Sequence, residues 1–589
     1  MLRLHEELPD LTGCLRWLDR PALPLPGGVR DQAVALLFWR LGCVHSRLAL
    51  DVLADLVQRF AGRPFAAIAV HVPVAAAERD DARVQRAVGD RPVNVAIDAQ
   101  RRACRALGLR GLPHVVLLDA RGRVQFSGVG EPDPERLANA VSLLLRTFEG
   151  DGLAPGVPLA APRSPGAAAP RLRPSGLVAA EEGVWLAAAG HHRLYCVAPD
   201  GAVRRTIGSG HRGRADGPAL VASFVEPGGL ALRGDEVLVA DPVAHSLRAV
   251  DRRDGRVETW CGNGARSTDR QGGGYGLDQG LAAPGALAVH DGVVYLSQAG
   301  THQLWQVDRQ TGAASAWLGA RERTLRDGHD EATFAEPLGL CASNEALFVA
   351  DAGFGAVRQI DLGHTFVRTI AQGLQRPAAV ALAAEELFVA DAWRPAVLRG
   401  DPGGALQPWL DASHGLIEPV ALAVVGEDIW VADAGADAIF VVSLLGAPAP
   451  RRLVLTGAPS LPEPLSSVAR AMSCEPVELL EFSDVTLCLR PRLPEAEQFD
   501  ASLPCTVHVG DEGRGMLACD VHHATAPIDE HLEVLVPIAE RGEGALRIRV
   551  ELTSRGLVTG LPTPRSFDFL VPVRVTTTGE QRAEIVPSA

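Results

Sequence analysis

The stretch "PGGLALRGDEVLVADPVAHSLRAVD", residues 227–251, indicates the fold of most of the chain because its pattern recurs. Pro227 opens a small and apolar run, a strand-like run then ends in Val-Ala-Asp, and the strand-like "SLRAVD" follows a short turn. The spacing of fourteen residues from the proline to the end of the first strand-like run occurs six times. The six pairs are Pro174 and Ala188, Pro227 and Asp241, Pro284 and Gln298, Pro337 and Asp351, Pro377 and Asp391, and Pro419 and Asp433. The repeat length of 40 to 57 residues suffices for about four short strands and predicts a six-bladed β-propeller over residues 173–451.

Four of the six repeats carry an aspartate at this position, which leaves two roles open. Several carboxylates around a propeller axis could bind calcium. Their identical position favours the other role, in which each carboxylate accepts hydrogen bonds from free backbone N–H groups of a turn. We therefore expect equivalent turns and no shared metal ion at these aspartates, whereas the repeats with Ala188 and Gln298 need other means of closing the turn.

The segments on either side of the repeats differ from them in composition. In residues 1–150, apolar runs at 33–39, 66–72, 93–97, 114–119 and 124–130 alternate with helical patterns, which predicts an α/β domain. Residues 151–172 are rich in Pro, Ala and Gly and are predicted to be a linker. Residues 452–589 alternate apolar and polar positions between turns, which predicts an all-β, sandwich-like domain.

Composition excludes several classes of function. The net charge of −14 disfavours general binding to nucleic acid or to an anionic membrane. All 57 basic residues are arginine, so a Schiff-base lysine and a P-loop lysine are excluded. No C-x-x-C pair and no metal-ligand spacing occur, so we expect no metal and no cofactor. The first ten residues do not resemble a signal peptide, and no stretch of about 20 apolar residues predicts a membrane span, so the expected location is the cytoplasm.

A second stretch, "LLFWRLGCVHSRLAL" at residues 36–50, contains the candidate site. An apolar strand runs into Trp39, and Cys43 follows at the predicted start of a helix. A helix N-terminus stabilises negative charge, and the thiolate is the reactive form of cysteine. His45 is predicted either to lie exposed at the surface or to assist the thiol with charge or proton transfer.

The position three residues after Cys43 is Ser46, so the site has a single thiol. One thiol can form a sulfenic acid or a mixed disulfide, but it needs a partner to resolve that adduct. Cys14 could approach Cys43, whereas Cys104 has the pattern of a core residue. The opposing interpretation is a structural domain whose redox chemistry has been lost.

Motifs in the chain resemble two known families. The first segment resembles thioredoxin-like domains of the TlpA or redoxin type in its strand, Phe38-Trp39, Cys43 and helix, followed by "GLRGLPHVVLLDARGRV" at 108–124. The resemblance implies a cis peptide bond before Pro113, which would face Cys43, and His114 could face it too. The segments "DGPALVASFVEPGGLAL" (216–232) and "DGHDEATFAEPLGLCA" (327–342) resemble NHL repeats. The domain order is similar to that of the NHL repeat-containing protein 2 family and its bacterial relatives, although that family usually has two further thiols near Cys43.

Three functions remain open from the sequence. The leading one is a thiol-redox or redox-sensing protein in which Cys43, Pro113, Trp39 and His45 form the site and the propeller binds a protein partner. The second is a non-catalytic interaction scaffold with a degenerate thioredoxin-like domain. The third, a propeller hydrolase or lactonase with a central metal, has no recognisable ligand set.

Overall fold

The computed structural model describes residues 3–461 except 19, 90, 151–170, 309 and 323, together with the strands given below for the C-terminal region and Gln581. The linker predicted at 151–172 lies almost entirely outside the described residues.

The N-terminal segment folds as an α/β domain around one mixed sheet. Its strands are β1 (Arg16–Trp17), β2 (Ala33–Trp39), β3 (Phe65–His71), β4 (Asn94–Ile97), β5 (His114–Leu118) and β6 (Val124–Val129). Its helices are α1 (Val44–Arg59), α2 (Asp81–Val88), α3 (Arg102–Ala106) and α4 (Pro134–Gly150). The strands lie in the order β1-β4-β3-β2-β5-β6, with β2, β3 and β4 parallel and the other pairs antiparallel. The five predicted strands therefore form within a few residues of their expected bounds, and helices occur among them as expected.

The alternation of side chains along β2 separates two apolar layers. Ala35, Leu37 and Trp39 face the layer that contains α1, α2 and α4. Val34, Leu36 and Phe38 face the layer formed by α3 and the chain before β2. All six side chains are fully buried, so β2 is the central strand of the domain.

The repeats form a six-bladed β-propeller in which each blade is one antiparallel sheet. Blade 1 contains β7 (Pro174–Ala180), β8 (Gly183–Ala188), β9 (Arg193–Val197) and β10 (Val203–Ile207). Blade 2 contains β11 (Leu230–Arg233), β12 (Glu236–Asp241), β13 (Ser246–Asp251) and β14 (Val257–Cys261). Blade 3 contains β15 (Gly272–Tyr275), β16 (Pro284–His290), β17 (Val293–Gln298), β18 (Gln303–Asp308) and β19 (Ala313–Leu318). Blade 4 contains β20 (Pro337–Ala342), β21 (Ala346–Asp351), β22 (Ala356–Asp361) and β23 (Phe366–Ala371). Blade 5 contains β24 (Pro377–Ala383), β25 (Glu386–Asp391), β26 (Ala396–Gly400) and β27 (Gln407–Leu410), and blade 6 contains β28 (Pro419–Val425), β29 (Asp428–Asp433), β30 (Ala438–Ser443) and β31 (Arg451–Leu453).

The aspartates at the repeat position close equivalent turns, as the sequence predicts. Asp433 accepts hydrogen bonds from the backbone N–H groups of Ile417, Glu418 and Ala436, each at 2.8 Å. Asp241, Asp351 and Asp391 accept backbone N–H groups of the corresponding loops. In blade 3 the Gln298 side chain takes this role for Ala282, and next to blade 1 Asp437 accepts the Arg173 N–H. Each carboxylate or amide therefore holds the loop that enters the innermost strand of a blade.

The NHL-like motifs fold over buried arginines between blades. Arg248 donates to Asp216 at 2.6 Å and lies 5.3 Å from the centre of the Phe224 ring. Arg358 makes the equivalent contacts with Asp327 and Phe334, at 2.9 Å and 5.0 Å. The motif's aspartate and phenylalanine therefore neutralise and cover an arginine that has no access to solvent.

The ring closes between blades 1 and 6 by side-to-side packing. Leu177, Val184 and Leu186 of blade 1 share one apolar cluster with Trp430 and Ile439 of blade 6. The chain after β31 adds a backbone bridge between Ala202 and Thr456. Every described blade is contiguous in sequence, so closure does not depend on a strand exchanged between the two ends.

Beyond residue 461 the described residues are strands. They are β32 (Met472–Ser473), β33 (Val477–Leu480), β34 (Ser483–Leu489), β35 (Glu497–Phe499), β36 (Cys505–Asp511), β37 (Val521–Thr525), β38 (Leu532–Ile538), β39 (Gly542–Gly556), β40 (Pro562–Thr576) and β41 (Arg582–Ile585). They pair into two sheets, the larger built on the long β39–β40 hairpin. The sandwich arrangement expected for 452–589 stays a prediction, since much of this region lies outside the described residues.

Short 3-10 helices occupy connections of the fold, at Gly27–Val29, Ala76–Arg79, Ala189–His191, Gly276–Asp278 and Ala412–His414. In the described part of the chain, none of the helices combines the length and the apolar character that crossing a membrane would require.

Candidate functional site

Cys43 occupies the N-cap of α1, where the chain leaves the central strand β2. Its backbone is extended, with φ −142° and ψ 118°, and its side chain makes no capping hydrogen bond. The thiol is half-buried and belongs to no disulfide. The free N–H groups of the first helical turn point toward such an N-cap position, so they favour a negative charge on the sulfur.

A buried carboxylate fixes the turn before Cys43. Glu78 accepts hydrogen bonds from Arg40 at 2.8 Å and from the Gly42 N–H at 2.9 Å. Its other oxygen accepts the N–H groups of Val74 and Ala75. Burial would raise the pKa of Glu78, but the charge of Arg40 and these hydrogen bonds lower it. The turn is therefore held by an ionised group that the sequence did not reveal.

The predicted site residues have different roles in the structure. The Leu112–Pro113 peptide bond is cis, as the resemblance implies, and Pro113 precedes His114, which pairs with Phe38 at the end of β2.

Trp39 is a fully buried core residue whose ring lies 4.8 Å from that of His71. Trp39 therefore packs in the core of the domain and has no surface that a substrate could contact.

Ser46 lies in the first turn of α1 and is fully buried. Its hydroxyl has no hydrogen-bond partner among the described residues. The serine therefore fills the space beside Cys43 without providing a group that reacts or positions the thiol.

The expectation that His45 is exposed is wrong, because it is held between the two domains. Its Nδ1 lies 2.9 Å from Oε2 of Glu131, in the loop before α4, and its Nε2 lies 2.8 Å from the carbonyl oxygen of Gly300 in blade 3. Both partners are acceptors, so both hydrogen bonds form only when the imidazole ring carries both protons. His45 is therefore held two residues after Cys43 by partners from both domains and is not free to carry protons to and from solvent.

Glu131 also faces the propeller. Oε1 of Glu131 lies 3.6 Å from His245, and its Oε2 lies 3.4 Å from Nε of Arg266. Burial would raise the pKa of Glu131, but its contacts with His245 and His45 and the charge of Arg266 lower it to about 2. The carboxylate therefore stays ionised and connects the α/β domain to blade 2 and the loop after it.

A second ionic contact lies one turn along α1. Arg47 donates to Glu336 of blade 4 at 2.9 Å, and Arg376 of blade 5 donates to the same oxygen at 2.6 Å. Burial would raise the pKa of Glu336, but the charges of Arg376 and Arg47 lower it to about 2. Arg47 is also close enough to Cys43 for the two side chains to interact electrostatically.

Apolar contacts complete the junction around Cys43. Val44 and Leu48 of α1 share a buried cluster with Ala283 and Ala299 of blade 3. On the other side, Trp393 of blade 5 enters the core of the α/β domain. Arg83 donates to the Trp393 carbonyl at 3.0 Å and lies 5.6 Å from the centre of its ring.

Gly42 allows this approach of the two domains. A Cβ atom at this position would lie 3.0 Å from Cη2 of Trp393 and 2.5 Å from Glu78. The glycine therefore leaves the space in which Trp393 meets the turn before Cys43.

The other cysteines of the domain are not arranged as a second thiol of this site. Cys14 and Cys104 both pack against the sheet face opposite α1. Burial and the neighbouring Asp98 raise the pKa of Cys104 to about 12, so it stays a thiol. Cys104 is half-buried against this core, which is less burial than the expected core position implies.

Sequence reasoning missed the charged residues of the junction, although one signal pointed to them. The residue directly before the repeat proline is charged in five of the six repeats: Arg173, Glu226, Glu336, Arg376 and Glu418. In the structure, Glu226 pairs with Arg91, Glu336 with Arg47, and Glu418 with Arg86. Arg376 lies over the ring of Trp393. A charged residue repeated beside a structural proline could have indicated a face that contacts another domain.

The described residues do not group potential metal ligands together. Among the described residues, no group of three or more His, Cys, Asp or Glu side chains is arranged to hold a metal ion. The repeat aspartates are each engaged with backbone N–H groups of their own turns.

Comparison with known proteins agrees with this architecture. NHL repeat-containing protein 2 of Gallus gallus is 27% identical over 405 residues, which cover 63% of this chain and 55% of the relative. The chain is a homologue of NHL repeat-containing protein 2. Protein SUPPRESSOR OF QUENCHING 1, chloroplastic, of Arabidopsis thaliana is 27% identical over 384 residues, which cover 62% of this chain and 36% of that protein. The chain thus spans about half or less of the length of these two relatives.

No protein-family model matches the chain. Among solved structures, a catalytically inactive virginiamycin B lyase of Staphylococcus aureus with quinupristin aligns with 48% of this chain and 85% of its own, at 13% identity. The TM-score is 0.34, and no conclusion about this chain follows from so slight a likeness.

Proposed function

We propose that this chain is a thioredoxin-like thiol protein that is reversibly oxidised at Cys43, and that its propeller forms part of the site. The observation that carries the proposal is the position of the thiol. Cys43 is only partly buried at the N-cap of α1, shortly after the end of the central strand β2. The order of the sheet and the helices on both its faces support a thioredoxin-like assignment of this domain.

Groups that interact favourably with an anionic sulfur lie near Cys43. They are the first turn of α1 and the guanidinium of Arg47. With hydrogen peroxide, the thiolate attacks one peroxide oxygen, the O–O bond breaks, and Cys43 sulfenic acid and hydroxide form. A low-molecular-weight thiol then displaces water from the sulfenic acid, and a second thiol reduces the resulting mixed disulfide and releases Cys43.

The one-thiol site predicts adducts that persist until an external thiol arrives. Peroxide treatment of the full chain, trapping of sulfenic acid and mapping by mass spectrometry should place the adduct at Cys43, and Cys43→Ser should abolish it. Cys104→Ser is the matched control and should leave the adduct unchanged, because burial keeps that residue protonated. Rapid catalytic turnover of a dithiol substrate by the wild-type chain would contradict the one-thiol mechanism.

A non-catalytic scaffold is the second candidate, and the junction itself favours it. Trp39 is fully buried, and His45 and Arg47 are engaged by blades 3 and 4. The α/β domain could thus serve to cover one face of the propeller, while a protein partner binds elsewhere on the propeller. A Cys43 thiol that resists peroxide under the conditions above would favour this function.

A further inference from the structure

We infer that the propeller restricts Cys43 to small oxidants and low-molecular-weight thiols and excludes folded proteins while the two domains are in contact. The inference rests on the proposed redox role of Cys43 and specifies the substrate class of that site. It follows from what covers the surface on each side of the thiol.

The residues next to Cys43 are covered by the propeller. On the N-terminal side, Gly42 lies against the Trp393 ring of blade 5. On the C-terminal side, Val44 is buried against blade 3, and His45 is bonded to Gly300. A protein disulfide must lay several residues of its own chain against the groups that flank an attacking thiol. Here that surface is already occupied.

The next turn of α1 is covered in the same way. Arg47 is bonded to Glu336 of blade 4, and Leu48 packs with Ala283 and Ala299. Blades 3 and 4 therefore contact α1, and blade 5 contacts the turn before it, all within five residues of Cys43. Cys43 nevertheless keeps part of its surface exposed, and we expect a molecule of the size of peroxide to reach it.

The closed state is held by groups that do not separate independently. Trp393 is buried in the core of the α/β domain, and Glu131 and Glu336 are buried carboxylates with partners contributed by both domains. Separating the domains would at once expose the Trp393 ring and remove from each carboxylate the partners that the other domain supplies. A reagent too large for the closed state must therefore wait for a rare opening.

The test compares reagents of different size on the same molecule. Glu427→Cys adds a reference thiol in the exposed turn between β28 and β29, at the opposite end of these strands from Glu418. Peptide mapping gives the alkylation rate at each thiol with iodoacetamide and with a maleimide on a polyethylene glycol chain of about 5 kDa. For the large reagent we expect the rate at Cys43, relative to the reference thiol, to be at least about tenfold lower than with iodoacetamide, as for a site reached only by local opening.

Opening the junction should remove this selectivity. Trp393→Ala takes away the apolar anchor, and Arg83→Gln, a milder change, removes the donor to the Trp393 carbonyl and the cation above its ring. In either folded variant the large reagent should gain access to Cys43, while the rate at the reference thiol stays constant.

The outcomes separate the two proposals. Equal relative rates of the large and the small reagent at Cys43 in the wild-type chain would overturn the size restriction and leave the redox role intact. A Cys43 thiol that reacts with iodoacetamide but forms no peroxide adduct would overturn the redox role. If glutathione disulfide and a small disulfide-bonded protein modify Cys43 equally fast, the restriction to small thiols is wrong.

Discussion

At position 46 the side chain is a serine hydroxyl, fully buried in the first turn of α1 and without a partner among the described residues. The side chain of an N-cap residue reaches the third residue of the helix, and that is the relation between Cys43 and Ser46. A hydroxyl cannot attack a mixed disulfide at neutral pH as a thiolate does. One atom at this position thus decides between a site that retains its adduct and one that resolves it.

Ser46→Cys should therefore convert the site to a dithiol. Cysteine is close to serine in size, so the buried position can accept it, and we expect an internal disulfide between residues 43 and 46 after mild oxidation. Intact mass and thiol titration should show the loss of two thiols, and insulin reduction should become catalytic. Ser46→Ala is the control and should behave as the wild type. A Ser46→Cys variant that still accumulates a single adduct on Cys43 would show that the two sulfur atoms do not meet.

At the scale of the structural elements, the repeat aspartates determine how each blade begins. Asp433 has no access to solvent and accepts three partly buried backbone N–H groups, which would lose this partner without the carboxylate. The same loop carries Glu418 toward Arg86 of the α/β domain. The turn therefore stabilises the start of blade 6 and also positions Glu418, which contacts the α/β domain.

Asp433→Ala should lower the free energy of unfolding of the propeller by about 1–3 kcal/mol, the usual cost of leaving buried polar groups without a partner. Urea denaturation followed by tryptophan fluorescence measures this loss. Asp433→Asn keeps one acceptor oxygen and should cost less. Equal stability of Asp433→Ala and the wild type would show that the carboxylate does not hold the turn, and would reopen the question of its role.

At the scale of the whole molecule, the α/β domain and the propeller are joined by buried charges. Glu336 is bonded to Arg47 of one domain and Arg376 of the other, and its pKa is lowered to about 2 from its ordinary value of 4.5. A lowered pKa in the folded state means that ionised Glu336 stabilises the fold fully above about pH 4.5. This contribution is lost as the pH falls from there toward about 2.

Glu336→Gln should therefore lower stability by a pH-dependent amount. The difference in free energy of unfolding between the wild type and this variant should be on the order of 3 kcal/mol above about pH 4.5 and should shrink as the pH falls below it. Thermal unfolding of both proteins, measured from about pH 7 down to about pH 2, gives this difference across the range in which carboxyl groups titrate. Glu345→Gln, at an exposed turn of the same blade, should leave stability unchanged. A difference that stays constant down to the lowest pH would contradict an ionised Glu336 at the junction.

Much of the architecture is predictable from local patterns. Six prolines at a constant distance from the repeat position indicate six blades, and the strand bounds 33–39 coincide with β2. These features depend on neighbouring residues, since side chains that alternate between the two faces of a strand leave a short period in the sequence. The single thiol at the start of α1 can likewise be recognised from its neighbours in the sequence.

The composition and spacing of the sequence by themselves determined the propeller, the α/β domain before it and the identity of Cys43 as a candidate thiol without a neighbour. Only the tertiary structure decided what surrounds that thiol. His45 meets Glu131 and Gly300, Arg47 meets Glu336, and Gly42 meets Trp393, although most of these partners are hundreds of residues apart in the chain. The physical reason is that such contacts depend on how two completed domains pack against each other. Local periodicity reports which face of a strand or helix is buried, but it does not report which distant residue covers that face.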